Sequence, residues 1–236
     1  CVAAVVAVST SGALAGGTLV PAEPPVEPPM VAAPVPMAYD WTGGWGGVVL
    51  GFGQGTSRHC DGADCSGGAP DFPRVGSSGG VAGVALGYNI QSGNMVYGVT
   101  LDHVAARMRG SASSTATYAC GADPGCTTDI TSMTTLRGRV GWAQDRTLVF
   151  ASGGVANVRG RGGITGPDQG SFNVTSPVLG LGVEQAIGDR VTLSGEVLHT
   201  FRAGPRVVQA GACAVPGCQI DRFATTSLRV GLNVRF

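Results

Sequence analysis

Along the stretch Ser227-Leu228-Arg229-Val230-Gly231-Leu232-Asn233-Val234-Arg235-Phe236, apolar and polar positions alternate without a break. Leu228, Val230, Leu232, Val234 and Phe236 share one face, while Ser227, Arg229, Gly231, Asn233 and Arg235 share the other. That period of two predicts a β-strand. In a soluble sandwich the apolar face would look into a core. Here the opposite face carries arginines and an aromatic residue closes the stretch, as in a strand whose apolar side meets lipid and whose polar side meets a lumen.

Seven earlier stretches repeat the theme. Val48, Leu50 and Phe52 follow the aromatic entrance Trp41 and Trp45; Ala82, Val84, Leu86, Tyr88 and Ile90 mark a second strand. Tyr97, Val99 and Leu101 oppose Asp102 in a third, and Thr134, Leu136, Val140 and Trp142 oppose Arg137 and Arg139 in a fourth. The fifth, Thr147 to Arg159, is blurred by Ala151, Gly153 and Gly154. In the sixth Leu179, Leu181 and Val183 oppose Glu184; in the seventh Val191, Leu193 and Val197 oppose Ser194, Glu196 and Thr200. Short turns at Gln91-Ser92-Gly93-Asn94, Asp145-Arg146 and Gly188-Asp189 alternate with long polar segments at about 56–78, 108–128, 160–171 and 203–221. The pattern predicts an all-β chain: an eight-stranded antiparallel up-and-down transmembrane β-barrel, with short periplasmic turns and long outer loops.

The region before the barrel has a different texture. Cys1 to Ala15 is apolar and ends Ala13-Leu14-Ala15, which predicts the remainder of a secretory signal peptide over 1–15. A lipidated Cys1 is the rival reading. Residues 16–39, with Pro24-Pro25 and Pro28-Pro29, predict an extended polyproline-rich periplasmic linker, and 40–236 the barrel. Composition narrows the classes further. Fifteen acidic residues balance fifteen basic ones, so no electrostatic footprint for nucleic acid is present. The body of the chain has no run of about 18 apolar residues, which leaves strands as the means of crossing a bilayer.

Asp40-Trp41-Thr42-Gly43, Leu136-Arg137-Gly138-Arg139-Val140-Gly141, Gly180-Leu181-Gly182-Val183-Glu184 and Arg229-Val230-Gly231-Leu232-Asn233-Val234-Arg235-Phe236, taken in this order and spacing, resemble the small outer-membrane β-barrel proteins of the OmpA/OmpX-like superfamily, the alphaproteobacterial "porin family". The resemblance covers about 40–236 and implies a bacterial outer-membrane location. It also implies that the terminal strand is read by the barrel-assembly machinery, giving Leu232, Val234 and Phe236 a role in assembly. Only Gly44-Trp45 stands where the family has an aromatic pair, and no peptidoglycan-binding domain is expected after the barrel.

If the apolar faces meet lipid, Asp102, Arg137, Arg139, Glu184, Glu196 and Arg229 all point inward. An eight-stranded barrel is only wide enough for side chains to fill, and buried charges must be paired. A salt-bridged plug is expected, and a catalytic role for Glu184 with Glu196 is not. Cys60/Cys65, Cys120/Cys126 and Cys213/Cys218 fall in close pairs, each within one expected outer loop. Two thiolates per loop are too few for a metal site, so local disulfides are the expectation. Ser194, Glu196 and His199 share a strand, but alternation turns His199 away from the other two, so no triad is expected. No cofactor, metal or enzymatic activity is therefore expected.

Two functions remain open. One is a structural or surface-interaction barrel, with outer-membrane lipid, lipopolysaccharide and a surface or membrane-complex protein as partners. The other is a narrow channel for small solutes or ions.

Overall fold

The computed structural model describes residues 39–61, 72–115, 120, 125–164, 169–203, 206–207 and 218–236. The expected signal-peptide remainder, and the linker up to residue 38, lie outside them. Alternation organises nearly all of the rest into strands: β1 Gly43–Asp61, β2 Arg74–Ser92, β3 Met95–Ala112, β4 Cys126–Gln144, β5 Thr147–Ile164, β6 Gln169–Ala186, β7 Val191–Ala203, β8 Arg206–Val207 and β9 Cys218–Arg235. Each pairs antiparallel with its neighbour, and β9 returns to β1, with Val48 opposite Leu232 and Leu50 opposite Val230. The chain therefore closes an eight-stranded barrel from β1 to β7 and β9. The two-residue β8 pairs with the outer end of β9.

Closure leaves no sheet edge across the belt, which is what a bilayer demands of strands. The outward face is apolar over a belt. Val48, Leu86, Val99, Leu136, Leu181 and Val230 are all exposed, Leu181 by 70%, and Tyr88, Tyr97, Trp142 and Phe236 lie outward toward the end that carries the short turns. Those turns are as tight as the spacing predicts. Gly93, with φ 59°, and Asp145, with φ 52°, supply the left-handed residues that reverse β2 into β3 and β4 into β5.

Two expectations need correction. The strands run well past the belt into segments expected to be loops: β1 continues to Asp61, β2 starts at Arg74 and β3 reaches Ala112. Consequently Cys60, Cys126 and Cys218 lie within strands, not loops. The reason is a reversal of polarity along each strand. Above the belt the outward positions become polar, as at Arg107, Arg109, Arg159 and Arg161, while the inward positions become apolar, as at Met108, Ile130, Val158 and Phe172. Above the membrane the barrel is built like a soluble one, with its apolar side inside.

Candidate functional site

The lumen holds every charge that alternation turned inward. Asp102 on β3 is 2% exposed. Its Oδ2 accepts from Arg137 Nη2 at 2.8 Å and from the Thr135 hydroxyl, while its Oδ1 accepts from Arg229 Nη1 at 2.8 Å. Arg137 also pairs with Glu196 through Nη1. Ser152 tightens that corner, accepting from Arg137 Nη1 at 2.8 Å and donating to Glu196 Oε1 at 2.7 Å. One step toward the turns, Arg139 Nη2 meets Glu184 Oε2 at 2.7 Å, and Thr192 donates to Glu184 Oε1 at 2.5 Å. The structure thus brings these six charges into two adjoining groups whose signs cancel. Balanced, hydrogen-bonded charge is the condition under which a low-dielectric interior holds ions at all.

Aromatic side chains pack against this network because glycines leave them room. The Arg139 guanidinium lies 4.5 Å from the Phe150 ring centre and 5.6 Å from that of Trp45. A Cβ on Gly182 would come within 2.6 Å of the Phe150 ring, and one on Gly87 within 2.6 Å of Trp45. Within the network lies a cavity of about 40 Å³ bordered by Trp45, Asp102, Arg139, Glu196, Arg229 and Asn233. That suits a few waters and no larger solute.

Apolar layers close the network from both sides. Toward the turns, Trp41, Val96, Ala143, Leu148 and Phe150 form one cluster with Tyr39 against it. The Trp41 backbone N–H donates to Gln91 Oε1 at 2.7 Å, and the Arg235 guanidinium stacks 5.2 Å from the Tyr39 ring centre and 5.6 Å from that of Trp41. Burial pushes the Tyr39 phenol up, and the Thr42 backbone N–H at 2.8 Å holds the Asp40 carboxyl below its usual value. Toward the outer end, Val104, Met108, Ile130, Met133, Phe172 and Phe223 belong to the main core cluster and are almost wholly buried. Above them, His59 Nε2 and Ser57 Oγ meet Thr128 Oγ1 at 2.8 and 2.9 Å, and Arg58 pairs with Asp221 at 2.6 Å.

None of these closing layers was anticipated, although parity carried the signal. The inward parity of Asp102 continues through Val104, Ala106 and Met108, and that of Glu184 runs back through Val178, Val174 and Phe172. Among the cysteines, Cys120 and Cys126 are bonded, and Cys60 is disulfide-bonded. Cys65, Cys213 and the side chain of Cys218 lie outside the described residues. Ser194 and Glu196 border the lumen, whereas His199 faces out and bonds Thr226 Oγ1 at 2.9 Å, so the three do not meet. Leu232, Val234 and Phe236 all face outward. Among the described residues no group of three or more His, Cys, Asp or Glu side chains is placed to hold a metal ion.

The family model described as "Outer membrane protein beta-barrel domain" matches residues 29–236. A protein of Brucella melitensis, the 31 kDa outer-membrane immunogenic protein, is 29% identical over 221 residues, covering 87% of each chain, and its Brucella suis counterpart matches equally. Among solved structures, the outer membrane protein AlkL in DMPC lipid bilayers superposes with a TM-score of 0.51 at 15% identity, covering 86% of this chain and 95% of that one. At that identity the likeness concerns the fold.

Proposed function

The chain belongs to the outer-membrane protein β-barrel domain family and resides in the bacterial outer membrane, and from that premise we propose that it acts as a closed structural barrel presenting a stiffened outer end to the surroundings, not as a channel and not as an enzyme. The observation that carries this reading is the stacking inside the lumen. A charge-balanced layer is sealed on one side by Trp41, Leu148 and Phe150 and on the other by Met108, Ile130, Phe172 and Phe223. A water-filled path would have to break both apolar layers and the ion pairs between them, and each broken pair strands a buried charge. The strands extend far above the belt, the Cys120–Cys126 bridge ties β4 to the segment before it, and the result is a rigid surface suited to contact with another protein or the envelope. The Brucella relative, named as an immunogenic outer-membrane protein, accords with such display.

The narrow channel is the competing reading, and planar-bilayer recordings separate the two. The purified full chain is expected to give no steady openings. Ion-selective openings that disappear on substituting Arg137 or Glu196 would replace the closed barrel with a channel.

A further inference from the structure

The outward surface just above the apolar belt is chemically unlike the rest of the barrel. On β3 the outward positions run Leu101, His103, Ala105, Arg107, Arg109, and on β5 they run Val155, Asn157, Arg159, Arg161. Between them, on β4, stands Asp129, which faces Arg109 on one side and Arg161 on the other in the strand register. All four arginines are exposed, and none forms an ion pair with a described acid. Among the described residues, four cations around one carboxylate leave a strong local excess of positive charge in a chain whose overall charge is zero. The opposite rim is mixed instead, with Arg146 and Asp189 4.0 Å apart.

Position tells what this patch meets. A bilayer's polar headgroup zone extends only about 5–8 Å beyond each side of its hydrocarbon core. Arg159 is the second outward residue above Val155 and Arg107 the third above Leu101. A tilted strand crosses the core in about 9–11 residues, which from Met95 reaches about Ala105 on β3 and from Thr147 about Asn157 on β5. At about 3.3 Å per residue and a tilt of about 40°, Arg107 and Arg159 then stand about 5 Å above the core and Arg109 and Arg161 about 10 Å, within and just past that zone. Between belt and arginines lies a hydrogen-bonded polar collar. His103 Nδ1 meets Thr134 Oγ1 at 2.8 Å, and Asn157 Nδ2 donates to Asn173 Oδ1 at 2.6 Å and to Thr175 Oγ1 at 3.1 Å. A ligand here must have an apolar body at the belt, hydroxyl-rich matter at the collar and anionic groups above. The arginines come as two pairs separated by two strand spacings, about 10 Å, with Asp129 repelling anions between them. Two separate anionic groups fit that spacing better than one, and guanidinium binds phosphate through paired hydrogen bonds.

We infer that Arg107 with Arg109 on β3 and Arg159 with Arg161 on β5 form a site on the outer flank of the barrel for a doubly phosphorylated glycolipid of the outer leaflet, one phosphate to each arginine pair. The site depends on the outer-membrane placement of the barrel and not on whether its lumen conducts.

The test uses the full chain in zwitterionic nanodiscs, titrated with lipid A bearing two phosphates, one phosphate or none, with phosphatidylglycerol as a generic anionic lipid. The doubly phosphorylated form is expected to bind about tenfold more tightly than the singly phosphorylated one, and replacing all four arginines by glutamine should remove that preference. The control Arg146→Gln with Arg190→Gln, on the opposite rim, should leave it intact. Each pair is also replaced separately, so that a folding defect in the fourfold variant cannot hide the answer; either pair alone should reduce two-phosphate binding to the level of the one-phosphate lipid. Equal binding of dephosphorylated lipid A, equal competition by phosphatidylglycerol, or unchanged selectivity in both pair variants would overturn the site. So would binding of a soluble sulfated glycan that depends on the four arginines while the lipid does not.

Discussion

Asp102 and Arg229 are joined at 2.8 Å across the lumen, although β3 and β9 are separated in the sheet by β1 and β2. A bond along a chord of the barrel ties opposite walls together in a way that no ladder hydrogen bond does. Asp102→Ala removes the acceptor of two guanidinium groups and is expected to cost about 3–5 kcal/mol. Arg229→Ala alone should also destabilise, because Asp102 keeps only Arg137. Combining Asp102→Ala with Arg229→Ala leaves Arg137 facing Glu196, a neutral pair, so the double variant should lose less than the sum of the two single ones. Urea unfolding of the barrel in lipid vesicles measures all three, and additive losses would remove the bond from the account.

How much of this was legible beforehand follows from where the alternation keeps one meaning. Within the belt, parity alone placed Asp102, Arg137, Arg139, Glu184, Glu196 and Arg229 on the lumen side, where the first four and Arg229 are buried and Glu196 is half-buried. Past the belt the same parity persists while its chemistry inverts. Arg109 then reads as a loop residue, although it is the solvent face of a strand whose other face is Met108. Bulges hide the continuation further: register slips between Thr56 and Arg58 against β9, and between Ile130 and Ser132 against β5. The partner of each charge was not readable at all. Pairing across the lumen depends on shear and strand tilt, so nothing in the spacing of Asp102 and Arg229 foretells their contact.

His59 should make the outer end sensitive to acid. It stands seven positions beyond Phe52, the last outward apolar residue of β1, and so lies above the belt. Burial pushes its imidazole down to about 4, so the folded barrel holds it neutral against Thr128. A histidine in the unfolded chain takes up its proton near pH 6.5. The unfolded state therefore binds more protons between those values, and the stabilisation is complete above about pH 6.5 and lost as pH falls toward 4. From pH 7.5 to pH 5 the loss should be about 2 kcal/mol, and His59→Gln should flatten that part of the profile. Parallel profiles for the two proteins would assign the acid sensitivity elsewhere.

The Cys120–Cys126 bridge spans a separation of six residues, and both cysteines are fully buried in a cluster with Phe72 and Val75. Closing so short a loop restricts the unfolded chain by about 2 kcal/mol on the chain-entropy estimate. Replacing both cysteines by alanine should therefore lower stability by about that amount and speed proteolytic nicking between residues 112 and 126. The lumen network lies far down the barrel from the bridge, so the mobility of the unheated protein on a gel should not change. A variant resistant to nicking would show that packing on Phe72 and Val75, not the bond, holds this end.

Phe236 allows assembly and stability to be separated, because the two make opposite demands on it. The residue is 85% exposed, its ring lies over Gly44, and its backbone N–H donates to Gly44 O at 3.0 Å. Phe236→Ala keeps that backbone bond and removes little buried surface, so unfolding of protein refolded in vitro should shift by no more than about 0.5 kcal/mol. If the outward row Leu232, Val234 and Phe236 is read during insertion, the same change should sharply reduce the barrel recovered from the outer membrane of cells. The decisive quantity is the ratio of the two effects. A loss in cells that merely tracks a loss of stability in vitro would make Phe236 an ordinary member of the aromatic girdle beside Trp142 and Tyr97. Wild-type levels in cells would sink the assembly role outright.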